Sequence, residues 1–192
     1  MSAVRIFGVI LAGGQGRRMG GADKALLTLA GQSLIGRVAA RFAPQVEQLA
    51  VSGRQGYLGL RCLVDDGSHG PLSGVLAAVR WAGAAGADAV VTVPVDGPFV
   101  PGDLVPRLLL AGGGGVAVAQ SGGRAHPTFA LWPVGVAGAL AAFLASGAKA
   151  RVLDFARAEG AVMAEFPEDG SFVNLNTPED LARAEAALAG QP

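Results

Sequence analysis

A lysine and an aspartate set the terms on which this chain could act. Lys24 closes a stretch that begins at Leu11 with LAGG and passes through Arg17 and Arg18. Ala12, Gly13, Gly14 and Gly16 bring almost no side-chain bulk, so main-chain N–H groups there can approach an anion or a flat base closely. Guanidinium and ammonium groups beside such N–H groups are the usual partners of phosphate oxygens. Asp96 follows a nearly continuous apolar run, Ala89 to Val95, and sits between two prolines. A carboxylate there is either a turn cap or a ligand for a hard cation. Mg²⁺ commonly takes one or two protein carboxylates and fills its shell with phosphate oxygens and water. Such an ion offsets the repulsion between a bound polyphosphate and any anion that approaches it. Asp96 is therefore the candidate metal ligand and catalytic residue, with Lys24 and Arg18 as the candidate catalytic cations.

Other polar groups stand where they could share that chemistry. Asp65 and Asp66 end a short apolar run, and alternation lets only one of them face a cleft. Asp66 is preferred, as a hydrogen-bond acceptor for a nucleotide. Ser52 opens a polar turn, Ser52-Gly53-Arg54. In His126-Pro127-Thr128 a single histidine beside proline reads as structural more readily than chemical, and His69 has no evident partner. Lys149 and Arg151 either clamp the phosphate of an acceptor or form a solvated helix start. Asn174 and Asn176, at spacing two, project to one face of an extended segment, and Asn176 stands where a helix start could bind an anion. The single cysteine, Cys62, excludes an intramolecular disulfide framework and reads as a buried thiol in a reducing compartment.

The elements that must hold these residues follow from apolar patterning. Ile6 to Leu11, Leu49 to Val51, Cys62 to Val64 and Ala89 to Val95 read as strands; Ser33 to Phe42 and Leu72 to Ala84 read as helices between them. Asp103 is expected to cap a helix through Leu110. A strand at 116–119 then turns through Ser121-Gly122-Gly123-Arg124 into Thr128 to Trp132. Two helices, Val136 to Ala145 and Val152 to Glu159, precede a strand at Val162 to Phe166, and Thr177-Pro178 starts a last helix. Strands alternating with helices predict an α/β fold: a doubly wound, mostly parallel sheet with helices on both faces and ligands beyond the carboxyl ends of the strands.

Size and charge narrow the class further. The 192 residues suit one domain, 1–192, able to bury about 70% of its unfolded surface. Fifteen basic residues balance fifteen acidic ones, so nothing points to nucleic acid or an anionic membrane as partner. The opening apolar run is too short for a signal-peptide core, and a cytoplasmic location is expected. Pro127 to Ala148 lacks charge over a membrane-spanning length, but Pro133, Gly135 and Gly138 interrupt it, so it reads as a strand followed by a core helix.

Spacing disposes of two familiar phosphate loops. G-x-G-x-x-G fails because Met19 stands at its third glycine, and G-x-x-x-x-G-K-[ST] fails because Ala22 and Asp23 follow Gly21. What stands there, LAGGQGRRMGGADK from Leu11 to Lys24, resembles the signature loop of nucleotidyltransferases with a glycosyltransferase-A-like Rossmann fold. The resemblance is closest to the molybdenum cofactor guanylyltransferase family and extends through the HPT segment to Asn174-Leu175-Asn176-Thr177.

That resemblance implies transfer of GMP from GTP to molybdenum-bearing molybdopterin, with Mg²⁺ as cofactor and pyrophosphate released. It implies guanine contacts from the main chain of Leu11, Ala12 and Gly13, a phosphate-binding Lys24, a second nucleotide contact at Asp66, and an Asp96 that binds Mg²⁺ and GTP. Gly14, Arg18, Arg151, Asn174 and Asn176 match further active-site positions. A cofactor insertion chaperone or the receiving molybdoenzyme is an expected partner. Ser52 departs from an asparagine common among relatives, which implies a smaller or water-mediated nucleotide contact there. The rivals are a cytidylyltransferase of the same cofactor, a sugar- or polyol-phosphate nucleotidyltransferase, and a non-catalytic nucleotide-binding adapter. CTP-using relatives look more like LAAG, and a methyl group at Gly13 would crowd a purine.

Overall fold

In the computed structural model, which describes residues 4–13, 23–65, 67–147 and 149–190, the chain is built around one twisted sheet. Strand β1 (Ile6–Leu11) is followed by a two-residue hairpin, β2 (Thr28–Leu29) and β3 (Gln32–Ser33), and by helix α1 (Leu34–Phe42). Then come β4 (Gln48–Gly53), β5 (Arg61–Val64), α2 (Pro71–Ala84), β6 (Ala89–Pro94) and α3 (Leu104–Gly112). The remainder is β7 (Ala117–Ser121), β8 (Arg124–Pro133), α4 (Ala137–Ala145), α5 (Val152–Ala158), β9 (Val162–Phe166) and α6 (Pro178–Ala189).

The large sheet has the order β5-β4-β1-β6-β8-β7-β9. Its β5 to β6 half is parallel, β8 runs antiparallel to both neighbours, and β9 pairs parallel to β7. The predicted mostly parallel α/β sheet is thus what forms. β1 lies between β4 and β6, so chain connections leave it in both directions and open a crevice at its carboxyl end.

Strand alternation divides the core into two layers. Ile6 and Ile10 of β1 pack with α1 and α3 on one face, while Phe7 and Val9 pack with α2, α4 and α5 on the other. Gly8 lets α1 come close, since a Cβ there would stand 2.8 Å from the Phe42 ring. Ser33 caps α1 by accepting from the Gly36 N–H, as its position predicts. Asp103 does not cap α3; its carboxylate accepts from Arg107 Nε at 2.5 Å, one turn along the helix, in place of a first-turn amide. The segment from Pro127 is a strand and a nine-residue helix, and among the described residues no helix is long and apolar enough to cross a membrane.

β8 carries the irregularity that matters most to the crevice. Ala119 of β7 pairs with His126 while Val118 pairs with Ala130, so Pro127 to Phe129 fall outside the β7 ladder. Proline has no N–H to lose there. The buried Trp132 indole N–H donates to Thr92, whose hydroxyl donates to the Thr128 carbonyl at 3.0 Å, which pins the bulged segment against β6.

Candidate active site

A cleft of about 490 Å³ lies beyond the carboxyl ends of β5, β4, β1 and β6. Gly13, Ser52, Asp65 and Asp96 all line it, so the four strand ends singled out by sequence do converge on one pocket. Lys24 and Asn174 line it as well.

At the β6 end the lysine and the aspartate meet. Lys24 Nζ donates to Asp96 Oδ2 at 3.2 Å and to Asn176 Oδ1 at 2.8 Å. Both charged side chains are largely buried, 17% and 18% exposed, so the pair is shielded from bulk water yet borders the cleft. The main chain reinforces the arrangement: Leu175 N–H donates to the Asp96 carbonyl at 2.8 Å, drawing the Asn174–Asn176 segment against the end of β6. Gly97 permits that approach. A Cβ on it would stand 2.5 Å from Phe129 Cζ and 3.4 Å from Asn174 Oδ1.

Lys24 is aimed by its neighbour. Asp23 caps a short 3₁₀ turn, Lys24–Leu26, by accepting from Ala25 N–H, and its second oxygen accepts from Gln55 at 2.8 Å and from the Tyr57 hydroxyl at 2.6 Å. Burial, then donation to Asp23, pushes the Tyr57 hydroxyl above its usual value, so it stays a donor across the neutral range. Sequence reasoning quoted Asp23 only as part of the loop; the long-range partners Gln55 and Tyr57 carried no local signal.

At the β5 end a different carboxylate is exposed to the cleft. Asp65 Oδ2 accepts from the Ser52 hydroxyl at 2.5 Å, and Oδ1 accepts from Gly67 N–H at 3.0 Å. Ser52 is fully buried, and its hydroxyl is directed at Asp65. Helix α2 comes close here because Gly74 has no side chain; a Cβ would stand 2.9 Å from both Leu11 Cδ2 and Ser52 Oγ. A methyl group at Gly13 would meet the Asp65 carboxylate at 3.3 Å, so the glycine clears space over the carboxylate. The preferred member of the pair, Asp66, lies outside the described residues, as do Gly14 and Arg18.

The remaining predicted residues divide. Leu11 borders the cleft and Ala12 donates its N–H to the Ser52 carbonyl at 2.8 Å, which ties the loop start to β4. Arg151 flanks the start of α5, exposed, and is not among the residues lining the cleft; Lys149 is exposed too. The amides before α6 are not open for an anion, because Asp180 accepts from the N–H groups of both Asn176 and Thr177 in a capping box. His126 stacks on Phe172 at 4.6 Å and shares a hydrogen bond with Ser121, which fits its structural reading. Burial first, and the Arg124 charge second, hold its imidazole below the usual value.

Among the described residues no group of three or more histidine, cysteine or acidic side chains could enclose a metal. A cation at this cleft would rest on the Asp96 carboxylate and complete its shell from outside the protein, which suits Mg²⁺ bound with phosphate and water.

A family model described as MobA-like NTP transferase domain matches residues 8–161. The chain is 62% identical to the molybdenum cofactor guanylyltransferase of Cereibacter sphaeroides, with 96% of this chain and 98% of that protein covered. It is 46% identical to the protein of the same name from Mesorhizobium japonicum, with 95% and 96% covered. The crystal structure of molybdopterin-guanine dinucleotide biosynthesis protein A from Archaeoglobus fulgidus shares the fold, with a TM-score of 0.76 at 24% identity over 96% of this chain and all of that one.

Proposed function

The chain belongs to the molybdenum cofactor guanylyltransferase family of MobA-like NTP transferases, and from that premise we propose how its cleft transfers GMP from GTP to molybdenum-bearing molybdopterin. The observation that carries the reading is the position of Lys24, with Asp96 and Asn176 on its ammonium at the edge of a cleft floored by side-chain-poor backbone.

Asp96 is the residue that would hold Mg²⁺, and when bound the ion neutralises phosphate charge and draws charge onto the leaving pyrophosphate. Lys24 exchanges its contact with Asp96 for oxygens of the triphosphate, which frees the Asp96 carboxylate as the nucleotide arrives. Asn174 and Asn176 stay tethered to β6 through Leu175 and fix the direction from which the acceptor phosphate approaches. An acceptor oxygen forms a bond to the α-phosphorus while the bond from that phosphorus to the bridging oxygen breaks, and pyrophosphate departs. A phosphate monoester is already nucleophilic at neutral pH, so no general base is needed.

The test is pyrophosphate release by the purified protein with Mg²⁺ and molybdenum-loaded molybdopterin, offered GTP and CTP separately. Release with GTP only, and only when the acceptor is present, is the expected result. Release with CTP only would reassign the enzyme to cytidylyl transfer, and release with a sugar phosphate in place of the pterin would reassign the acceptor.

A further inference from the structure

We propose, resting on the guanylyl-transfer reading, that Tyr57 and Gln55 are positioning residues for the phosphate-binding lysine. From the loop between β4 and β5 they hold Asp23, and Asp23 holds the root of Lys24 in the place from which its ammonium meets the triphosphate.

A lysine has a flexible four-carbon stem, so its ammonium reaches a fixed point only if the main chain at its root is fixed. In the free protein the tip of Lys24 is held by Asp96 at 3.2 Å and Asn176 at 2.8 Å. Once phosphate takes the place of Asp96 at that tip, the root is what continues to aim the side chain. The 3₁₀ turn Lys24–Leu26 is three residues long and cannot hold itself. Asp23 Oδ1 accepts from the Ala25 N–H at 3.0 Å and so closes a ring that contains the Lys24 Cα. Ala25 is fully buried and seats the turn in the core.

Asp23 does this only while its own carboxylate is held. Its Oδ2 accepts from the Tyr57 hydroxyl at 2.6 Å and from the Gln55 amide at 2.8 Å, and the same amide donates to the Tyr57 oxygen at 3.2 Å. The three side chains close a triangle between segments 32 and 34 residues apart. The Tyr57 ring packs against the core layer that contains Ala25, so both sides of the contact share one footing. Burial, and donation to Asp23, keep the hydroxyl protonated and therefore a donor. Neither Tyr57 nor Gln55 is among the residues lining the cleft, so both act through Asp23.

The backbone that presents Tyr57 supports the assignment independently. Leu60 N–H closes on the Tyr57 carbonyl at 2.8 Å around Leu58 at φ +54° and Gly59 at φ +70°. A leucine in the left-handed region is a conformational outlier, and this one is 58% exposed, so burial does not compensate it. Such a turn persists where its surroundings hold it, and the grip of Tyr57 on Asp23 is a hold from outside the loop.

Binding of GTP with Mg²⁺ is measured by titration calorimetry on the wild type, Tyr57→Phe, Gln55→Ala, Lys24→Ala and Lys24→Ala/Tyr57→Phe, with thermal melts to establish that each is folded. Tyr57→Phe keeps the ring, removes the hydroxyl, and should weaken GTP binding about fivefold. In the Lys24→Ala background the same change should alter affinity by less than about twofold, because the lysine through which it acts is gone. Gln55→Ala, at an exposed position, should weaken binding about twofold, and it is taken through the same cycle if Tyr57→Phe fails to fold. A tether with only a structural role would give the same loss of affinity with and without Lys24, and that result would overturn the proposal. So would folded Tyr57→Phe and Gln55→Ala proteins that bind GTP as the wild type does, and in that case guanylyl transfer itself would still stand. A wild type that binds no GTP would bring down the functional reading and this inference together.

Discussion

The two ends of the cleft are built on opposite plans. At the β5 end an aspartate is braced by a buried hydroxyl and a backbone amide from nearby strand ends, and among the described residues no cation lies within salt-bridge distance of it. At the β6 end the contacts are long in sequence: Lys24 reaches 72 residues to Asp96 and 152 to Asn176. The first end is set before a ligand arrives, with acceptors already exposed. The second holds Lys24 and Asp96 against one another, and under the proposed mechanism they change partners when the nucleotide binds. A preformed end suits recognition, and a self-neutralised end suits chemistry, because breaking an internal ion pair costs less when phosphate and metal replace both halves. Substitutions should therefore separate into effects on nucleotide choice and effects on rate.

The largest effect is expected at Asp96. Asp96→Asn keeps the size and much of the hydrogen bonding of the side chain but removes the charge, and should lower kcat about a thousandfold. The folded fraction, read by circular dichroism, should stay near that of the wild type. Lys24→Ala comes next, with a fall in kcat/KM for GTP of about a hundredfold in the pyrophosphate-release assay. Lys24→Arg should rescue it poorly, since a planar guanidinium cannot occupy the compact seat between Asp96 and Asn176. If Asp96→Asn turned over normally, the division between the two ends would be wrong.

A pair of glycines sharpens the contrast. Gly97→Ala drives a methyl group to 2.5 Å from the buried Phe129 ring and presses on Asn174, behind the reacting end. Gly74→Ala drives one to 2.9 Å from Leu11 and Ser52, behind the recognising end. Overpacking of this kind costs about 1–3 kcal/mol, so both should lower the urea midpoint. They should part in kinetics: Gly97→Ala lowers kcat, whereas Gly74→Ala raises KM for GTP and leaves kcat nearly unchanged. Equal effects on both parameters in both variants would mean that the cleft responds as one body.

The same contrast explains what could be seen in the sequence. The reacting end was legible because its residues break their local pattern: an aspartate after an apolar strand, a lysine closing a glycine run, two amides two residues apart. The order of strands and helices was legible for the same reason, since apolar periodicity is a local property. The recognising end was legible in part: Gly13 and Ser52 were named and line the cleft, whereas Asp66, preferred over Asp65, lies outside the described residues. Asp65 and Asp66 are alike in type and adjacent, and what turns Asp65 to the cleft is a hydroxyl thirteen residues earlier that only the β4–β5 pairing brings near. The bulge that seats Thr128 depends on how β8 meets β7 and β6 together, and Arg151 falls outside the cleft because of where α5 packs. Register and docking are tertiary facts that no single segment encodes.

The smallest effect tests whether the reacting end is rigid only through its backing. His126 stacks on Phe172 and meets Phe129 edge-on, and those two rings lie behind Gly97 and the segment that leads to Asn174 and Asn176. Its folded-state value lies below the usual 6.5, by burial and then by the charge of Arg124. The unfolded chain therefore takes up a proton at this residue before the folded one does. The stability that the neutral ring contributes is complete above 6.5 and is lost as pH falls below 6.5 towards the folded-state value. The wild-type urea midpoint should accordingly drop between about pH 7.5 and about pH 5.5, with any loss of kcat following it. His126→Phe keeps a stacked ring and removes the titration, so its midpoint should change less over the same interval. A recognising end that owes nothing to this ring should show no matching change in the ratio of GTP to CTP affinity. If that ratio shifted with pH in the wild type and not in His126→Phe, the two ends would be coupled through the aromatic cluster.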